Sequence, residues 1–491
     1  MTHKILFDVG IIIQDTLNYP EKCPFNPERI FPELQHLGLS ETDLSNKLYS
    51  NIRQLFVDMQ LDSERIGTQL WNPLSDFINS GDIVVIKPNL VLHHNRESRD
   101  INAIVAHASV IRPLIDYCLL ALKGSGSVII GDAPHGDADF EKIIKTNGLL
   151  DLVNWYKNKR GIDIELRDFR KYIYPRGFDI SVCKEVNSDP DGYILVNLKD
   201  NSFLEGLPHL NRLYGSDYDR SFIVKQHLDG NHHYLISGTV LNADVVISVP
   251  KLKTHKKTGI TINLKNLVGI NGDKNYLAHF RVGSPSQGGD EYPDSKSIIE
   301  NILRAYNRFS RKFLLAPNQL ILRHVNRILR IPFLIINKLY RTLFYGQLIG
   351  GGNWYGNDTC WRMCLDLNYI LQYADKEGIL RNTPQRRYFC LVDGVISGEG
   401  EGPMEPDPKY SGVLAGGKNP YKTDFVCTKV MGFDPLKLKL LSEAISNNVI
   451  GFHPEEIKVI ARKESLIVKF EEINLKFNPH PAWKDKIERN G

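Results

Sequence analysis

Short apolar runs alternate with helical patterns in the first part of the chain. Residues 82–87 predict a buried strand, residues 101–123 have apolar side chains at helical spacing, and residues 127–130 predict a second strand. Apolar runs at 244–249 and 387–392 predict two further buried strands. Strand, helix and strand at this spacing is typical of parallel sheets. We therefore predict an α/β protein with a mostly parallel sheet flanked by helices.

Two segments depart from this pattern and are predicted to be insertions. Residues 172–240 are rich in short strands and turns, with a strong turn signal at 187–192. Residues 301–384 predict a basic amphipathic helical insertion. The predicted units are therefore a first α/β part, a strand-rich insertion, a second α/β part with a lysine-rich site, the helical insertion and a C-terminal α/β part, at 1–171, 172–240, 241–300, 301–384 and 385–491.

Charged or amide side chains follow each of the four buried strands: Lys87 and Asn89, Asp132, Lys251 and Lys253, and Asp393. In open α/β sheets, ligands bind at the carboxyl ends of the strands. The four strand ends therefore predict one functional edge of the sheet.

The densest group of polar residues comprises Lys251, Lys253, Thr254, His255, Lys265 and Asn266. Lysines supply positive charge, while Thr and Asn supply directed hydrogen bonds. A solvated basic turn is the alternative for the neighbouring lysines, but Lys265 and Asn266 lie in an apolar run, where an unpaired charge is costly. The pattern predicts a phosphate or carboxylate site, and it is not a P-loop because no GxxxxGK[ST] occurs.

Three carboxylates are candidate ligands for a divalent cation such as Mg²⁺. Asp132 directly follows an apolar strand, and a glycine-rich segment at 393–403 carries Asp393 and Glu399. Asp132 is alternatively an acid or base, or a turn residue that caps the next helix. The glycine-rich segment is alternatively a loop that hydrogen-bonds sugar hydroxyls, or a flexible surface loop.

Two features of the helical insertion also leave alternatives open. Trp354 and Asn357 precede a predicted helix and are either a saccharide- or nucleotide-facing edge or part of the cap and core. Residues 302–345 contain Arg and Lys every few positions among Leu, Ile, Phe and Tyr. This pattern is typical of a helix at an anionic membrane surface, and a lid packed on the sheet is the alternative.

The excess of positive charge in the chain is concentrated in one segment. From Asn301 to Asn357 there are nine Lys or Arg and no Asp or Glu, so that 52 of the 61 basic residues remain elsewhere against 57 acidic ones. A general nucleic-acid-binding surface is therefore not expected. The N-terminus reads as a strand rather than a signal peptide, and no apolar run is long enough to span a bilayer. We expect a cytoplasmic protein, with peripheral contact to the inner face of the membrane as an alternative.

In combination, these motifs resemble the DUF362 family, a family of unknown function. The resemblance rests on residues 87–89, 131–132, 251–255, 265–269 and 393–403, and it covers roughly residues 80–280 and 385–460. Some members of that family carry a ferredoxin-like segment with cysteine-rich motifs. The seven cysteines of this chain form no CxxC pair, so no iron–sulfur cluster is expected. Residues 353–358 are similar to a long subgroup associated with polysaccharide biosynthesis.

We expect an enzyme that acts on a phosphorylated or carboxylated small molecule or saccharide intermediate. Its catalytic residues are predicted to be His255, Asp132 and Asp393. Its substrate-binding residues are predicted to be Lys87, Asn89, Lys251, Lys253, Thr254, Lys265, Asn266, Trp354 and Asn357. Two alternatives are a membrane-docked scaffold and an oxidoreductase with a diffusible cofactor, the latter disfavoured because no GxGxxG follows an early strand.

Overall fold

The computed structural model describes residues 7–174, 183–215, 220–314 and 349–489, together with Ile331 and Ile335. Its strands are β1 Val9–Ile13, β2 Ile83–Pro88, β3 Ser127–Asp132, β4 Glu165–Asp168, β5 Tyr172–Ile173, β6 Lys184–Glu185, β7 Tyr193–Asn197, β8 Leu213–Tyr214, β9 His233–Ser237, β10 Val245–Val249, β11 Lys251–His255, β12 Gly259–Thr261, β13 Phe280–Arg281, β14 Arg387–Glu399, β15 Asp407–Gly417, β16 Val459–Lys463 and β17 Leu466–Val468. Its α-helices are α1 Lys47–Asp58, α2 Ala108–Leu122, α3 Phe140–Thr146, α4 Leu149–Arg160, α5 Arg220–Gln226, α6 Gly238–Asn242, α7 Asn263–Asn266, α8 Ile298–Leu314, α9 Cys360–Tyr373, α10 Pro420–Met431 and α11 Lys439–Ser446.

One large mixed sheet organises the chain, in the order β17-β16-β1-β15-β14-β10-β2-β3-β4. The strands β14, β10, β2, β3 and β4 run parallel to one another, while β15 is antiparallel to both of its neighbours. The predicted α/β class with a mostly parallel sheet is confirmed. The chain proceeds from β2 to β3 and β4 on one side, and then returns to place β10 and β14 on the other. The strand order therefore reverses between β2 and β10, which is where open α/β sheets bind ligands.

Alternate residues of the central strands enter two hydrophobic layers. Val84 and Ile86 of β2 pack on one face with α1, α2 and α4, whereas Val85 packs on the other face with α9, α10 and α11. Both faces are covered by helices, so the central parallel strands are largely apolar and buried, as in β10, where every residue is buried. Burial of each such side chain contributes about 1.5–3 kcal/mol relative to exposure.

The segment after Asp393 is a strand and not the loop that its glycines suggested. Residues 393–399 continue β14, pairing with β15 on one side and with β11 on the other. Two partner strands satisfy the backbone groups of this segment, and those hydrogen bonds outweigh the weak strand propensity of glycine.

In the part of the chain that the structure describes, three short ladders lie outside the large sheet. They pair β5 with β6, β7 with β9, and β8 with β13. The last of them joins residues 213–214 to residues 280–281, so the strand-rich segment contacts the part of the chain that follows it. The unit boundaries themselves stay a prediction.

Most of the basic segment 302–345 lies outside the described residues, so the choice between a lid and a membrane-surface helix stays open. The described part of α8 begins with exposed isoleucines at positions 298, 299 and 302. No helix within the described ranges is both long and apolar enough to cross a membrane.

A buried ion pair fastens β11 to β14. Lys251 Nζ lies 2.8 Å from Asp393 Oδ2, and neither side chain is exposed to solvent. The Tyr19 hydroxyl donates to Asp393 Oδ1, and the backbone N–H of His107 donates to Asp393 Oδ2 at 3.0 Å. Burial lowers the pKa of Lys251, and the charge of Asp393 opposes this shift. Four segments therefore meet at one buried carboxylate, and removal of its charge would leave that of Lys251 uncompensated.

We predict that Asp393→Asn lowers the free energy of unfolding by about 3–5 kcal/mol, because the charge of Lys251 then stays buried without compensation. Urea denaturation followed by circular dichroism measures this change. Asp407→Asn is the matched control, since Asp407 pairs with Arg99 at 3.1 Å but is 60% exposed. The control should change stability by less than about 0.5 kcal/mol. Equal effects of the two substitutions would contradict the assignment.

Candidate functional site

A cavity of about 280 Å³ lies at the carboxyl ends of β2 and β3, next to the point between β2 and β10 where the strand order reverses. Among the described residues, its wall contains one carboxylate, Asp132, and three histidines at positions 135, 255 and 279. Its cations are Arg96, Lys253, Lys256, Lys257, Lys265 and Lys274. This excess of positive charge favours an anionic ligand.

The floor of the cavity is a buried network built on a lysine–aspartate pair. Lys87 Nζ donates to Asp132 Oδ1 at 2.6 Å and to Asn266 Oδ1 at 3.0 Å. Asp132 Oδ2 accepts the backbone N–H of Leu90 at 2.7 Å, which fixes the chain as it leaves β2. A Cβ atom at Gly269 would collide with Asp132 Oδ1 and Lys87 Nζ, so only glycine allows this backbone to pass over the pair.

Strand β11 carries Lys253, another cation of the cavity wall. Because side chains alternate along a strand, positions 251, 253 and 255 share one face. Lys253 Nζ donates to Asn89 Oδ1 at 2.9 Å and to the Ile104 carbonyl at 2.7 Å. Burial, followed by the charge of Lys251, lowers the pKa of Lys253 well below its ordinary value. Its ammonium has oxygen partners but no ion pair with any described carboxylate.

Lys265 is the one cavity cation for which the described residues supply neither a hydrogen bond nor an ion pair. Its side chain is only 7% exposed. A charge withdrawn from water in this way is costly unless a partner of opposite charge arrives. Since Lys265 lines the cavity, the cavity is where such a partner fits.

Helix α7, which carries Lys265, is held in place by the helices behind it. Asp424 in α10 accepts the backbone N–H groups of Asn263 and Leu264, each at 2.9 Å. Burial raises the pKa of Asp424 to about 7. Asn368 in α9 donates to the Leu264 carbonyl at 2.8 Å. A single turn of helix is unstable alone, so these contacts decide where Lys265 lies.

Two cavity histidines lie among cations, His255 buried and His279 half-buried. Burial and the charges of Lys265 and Lys257 lower the pKa of both His255 and His279 well below the ordinary value. Both rings are therefore neutral at physiological pH. Each neutral ring has one N–H and one nitrogen lone pair with which it can hydrogen-bond to a ligand.

The structure brings six of the predicted site residues to the cavity wall: Asn89, Asp132, Lys253, His255, Lys265 and Asn266. Lys87 lies directly behind them, bonded to Asp132 and Asn266. These seven residues come from four separate segments of the sequence, and they meet because the parallel strands end at the same edge.

Other predicted substrate-binding residues have structural partners away from the cavity. Lys251 is paired with Asp393, and Thr254 Oγ1 donates to the Gly400 carbonyl at 2.9 Å. Trp354 Nε1 donates to the Asp290 carbonyl at 2.9 Å. Asn357 caps α9 by accepting the backbone N–H groups of residues 359 and 360. None of these four predicted side chains lines the cavity.

The three predicted metal ligands do not converge. Asp132 is bonded to Lys87, Asp393 to Lys251, and Glu399 accepts from Lys409 Nζ and the Asn478 backbone, each at 2.9 Å. Within the described ranges, no three His, Cys, Asp or Glu side chains form a group that could hold a metal ion. Mg²⁺ therefore stays a prediction from the sequence.

Sequence reasoning missed several cavity residues. Lys274 donates to the carbonyls of Ala133 and Val268, at 2.9 and 3.2 Å, and His279 lies five residues further on. Both follow the lysine-rich motif within fifteen residues, but nothing in the local pattern distinguishes them from surface polar residues. Lys257, which a solvated turn would explain, instead donates to the Gly351 carbonyl and to Asn353 Oδ1.

Two comparisons with known proteins bear on this site. Residues 201–429 match the model of a family described as a domain of unknown function, DUF362. The DUF362 resemblance is thus confirmed over these residues, which include Lys253, His255 and Lys265. A thylakoid-associated protein of Synechocystis sp. is 21% identical over 385 residues, which cover 78% of this chain and 72% of that protein.

We predict that sulfate binding weakens as the pH rises through about 7. Burial lowers the pKa of Lys274 to about 7, so its positive charge is present below this pH and lost above it. Sulfate keeps its double charge across this range, unlike phosphate. Each unit by which sulfate raises this pKa corresponds to about a tenfold weaker affinity at about pH 9 than at about pH 6.

Isothermal titration calorimetry with sulfate across this pH range makes the measurement. The Lys274→Met variant should bind more weakly at low pH and show a flatter profile. A profile that this substitution leaves unchanged would assign the titration to another group.

Proposed function

We propose that the cavity binds a phosphorylated or carboxylated small molecule and that the protein acts on it as an enzyme. The observation that carries this proposal is Lys265, a lysine that is 93% buried, lines the cavity and has no partner among the described residues. An anionic ligand supplies the missing opposite charge. The position at the carboxyl ends of parallel strands, next to the strand reversal point, supports the same conclusion.

The surrounding groups divide the work of binding. Lys265 supplies the charge that the ligand neutralises. Lys274, already bonded to protein oxygens, adds positive potential below about pH 7, and Lys253 is fixed by its bonds to Asn89 and Ile104. Asn266 is held by Lys87 and by Ser248 Oγ at 3.0 Å, so that it orients the floor of the site. Groups fixed before the ligand arrives lose little conformational entropy on binding.

The setting of this activity is a further part of the proposal. The similarity of residues 353–358 to a long DUF362 subgroup favours a saccharide intermediate of surface-polysaccharide biosynthesis, handled in the cytoplasm. Asn353 of this segment reaches the cavity through its bond to Lys257, at 2.9 Å. Metal assistance and the oxidoreductase alternative stay predictions from the sequence.

We predict that Lys265→Met raises the Kd for inorganic phosphate at least about tenfold, which corresponds to about 1.4 kcal/mol. The same variant should unfold at an equal or higher temperature, because the substitution removes a buried charge that no protein group compensates. Calorimetric titration and thermal unfolding measure the two effects. Unchanged phosphate affinity would refute the binding role of Lys265, and a marked loss of stability would show that its role is structural.

Lys157→Met is the matched control. Lys157 also lies in a helix, but its side chain is 66% exposed and pairs with Asp163 at 3.2 Å. This substitution should change neither phosphate affinity nor the unfolding temperature appreciably.

The start of α8 favours a second, compatible function, peripheral contact with an anionic membrane through residues 302–345. Ile298 and Ile302, one helical turn apart, are 74% and 62% exposed, and Ile331 and Ile335 further along are 56% and 55% exposed. The segment carries Lys and Arg but no acidic residue, which suits anionic headgroups. The name of the thylakoid-associated relative points in the same direction.

We predict that the full chain floats with vesicles of phosphatidylcholine and phosphatidylglycerol. Replacing Ile298 and Ile302 together by Glu should weaken this binding more than about tenfold, because each buried isoleucine contributes about 1.5 kcal/mol or more. Leu466→Glu is the control, since Leu466 is 71% exposed at the far edge of the sheet. A wild-type protein that stays in the aqueous phase, or a double variant that floats as well as the wild type, would overturn the membrane contact.

A further inference from the structure

We propose that two imidazoles of the cavity have opposite roles, with His279 Nε2 as the proton acceptor and His255 Nε2–H as the hydrogen-bond donor to the substrate. This inference rests on the proposed anion-binding function of the same cavity. It adds a chemical requirement on the substrate, namely that the bound anion also carries a weakly acidic proton beside an oxygen that becomes more negative during the reaction.

The hydrogen bonds of His255 determine which of its ring nitrogens carries the proton. His255 Nδ1 lies 3.0 Å from the backbone nitrogen of Lys257 and 3.2 Å from that of Thr258. The Thr258 hydroxyl also lies 3.1 Å from Nδ1 and can donate or accept. A backbone N–H can only donate, so Nδ1 accepts from both backbone groups and holds no proton. In a neutral ring the proton is then on Nε2. His255 can therefore donate to a ligand but cannot take a proton from it.

His279 is fixed in the opposite tautomer. Its Nδ1 lies 2.9 Å from the Leu277 carbonyl, which can only accept, so Nδ1 carries the proton and Nε2 has a free lone pair. Its backbone is held on both sides, since its N–H donates to the Tyr214 carbonyl and its carbonyl accepts from Asn357 Nδ2, both at 2.9 Å. The lone pair is thus held in a constant position relative to β13.

Both Nε2 atoms are available to a ligand. Neither makes a hydrogen bond to a described residue, and both rings line the cavity together with Lys265. The two rings interact electrostatically with each other and with Lys265. A ligand anchored on Lys265 is therefore within reach of one donor imidazole and one acceptor imidazole.

The proton transfer balances with groups already in the cavity. The proton moves from the substrate to His279 Nε2, and the electron pair of the broken bond stays on the substrate. The resulting negative charge is stabilised by the Lys265 ammonium and by His255 Nε2–H. The imidazolium formed at His279 lies among Lys257, Lys265 and Lys274, so the negative charge of the bound anion is needed to offset their repulsion. His279 then becomes an effective base only when the anionic substrate is bound.

The ring tautomers can be measured directly on the full chain. We expect the nitrogen NMR spectrum of protein labelled with ¹⁵N in the histidine rings to show His255 protonated at Nε2 and His279 protonated at Nδ1. The signals are assigned by their loss in His255→Gln and His279→Gln. A ring of His279 protonated at Nε2, or of His255 protonated at Nδ1, would overturn the proposal.

Chemical acylation tests whether the lone pair is usable. With diethyl pyrocarbonate and peptide mass spectrometry, His279 should be modified at least about tenfold faster than His255, whose only lone pair is engaged by backbone N–H groups. His453, whose side chain is 49% exposed, is the internal reference. Sulfate should slow the modification of His279 and leave that of His453 unchanged. Equal rates at His279 and His255 would also overturn the proposal.

Calorimetry with sulfate separates this inference from the proposed function. If sulfate does not bind, the anion site itself fails, whatever the tautomers are. If sulfate binds and the tautomers are reversed or identical, the anion site stands and only the division of roles between the two imidazoles fails.

Discussion

The burial of several lysine side chains at the carboxyl ends of the strands is the constraint on which this structure depends. Each ammonium removed from water requires oxygen atoms in its place. Lys87 finds Asp132, and Lys251 finds Asp393, each in an ion pair shorter than 3 Å. Lys253 finds an amide oxygen and a carbonyl instead. Only Lys265 is left without such a partner among the described residues, and it is the one that lines the cavity on a separate short helix.

The lysines that have oxygen partners help to hold Lys265, which has none among the described residues, in position to bind a ligand. The Lys87–Asp132 pair holds Asn266 and allows Gly269 to pass close above it, so the turn after α7 has a fixed path. Asp424 fixes the first turn of the same helix from behind. The position of Lys265 is therefore determined by contacts on both ends of α7, and the stabilising energy of those contacts offsets the cost of an unpaired charge. A ligand that meets Lys265 binds to a site that is already formed.

Fixed contacts with the protein also explain the different roles proposed for the two histidines. They are alike in their neutral state and in the cations around them. They differ in the backbone groups at Nδ1, which are N–H donors at His255 and a carbonyl acceptor at His279. That difference gives one ring a proton to share and the other a lone pair, so backbone geometry alone separates a donor from a base.

The sequence by itself determined the strands and the basic character of the site. Apolar runs such as those that form β2, β3 and β10 are local signals, because a short apolar run bounded by turn residues is typical of a buried strand. Lys265 and Asn266 were identifiable because it is costly to bury charged and amide groups, as an apolar run implies, unless they have partners. These features need no knowledge of distant residues.

Only the tertiary structure decided which groups face the cavity and which stabilise the fold. Asp393 looked like a ligand in a glycine-rich loop, but β15 and β11 make its segment a strand, and Tyr19, far away in sequence, binds its carboxylate. His279 lies at the cavity because of the path that the chain takes after α7. No local motif in the sequence identifies it as a site residue. The physical reason is that ion pairs and tautomers depend on which segments meet at a strand end. Which segments come together at a strand end depends on the order of strands in the sheet, and no local pattern encodes that order.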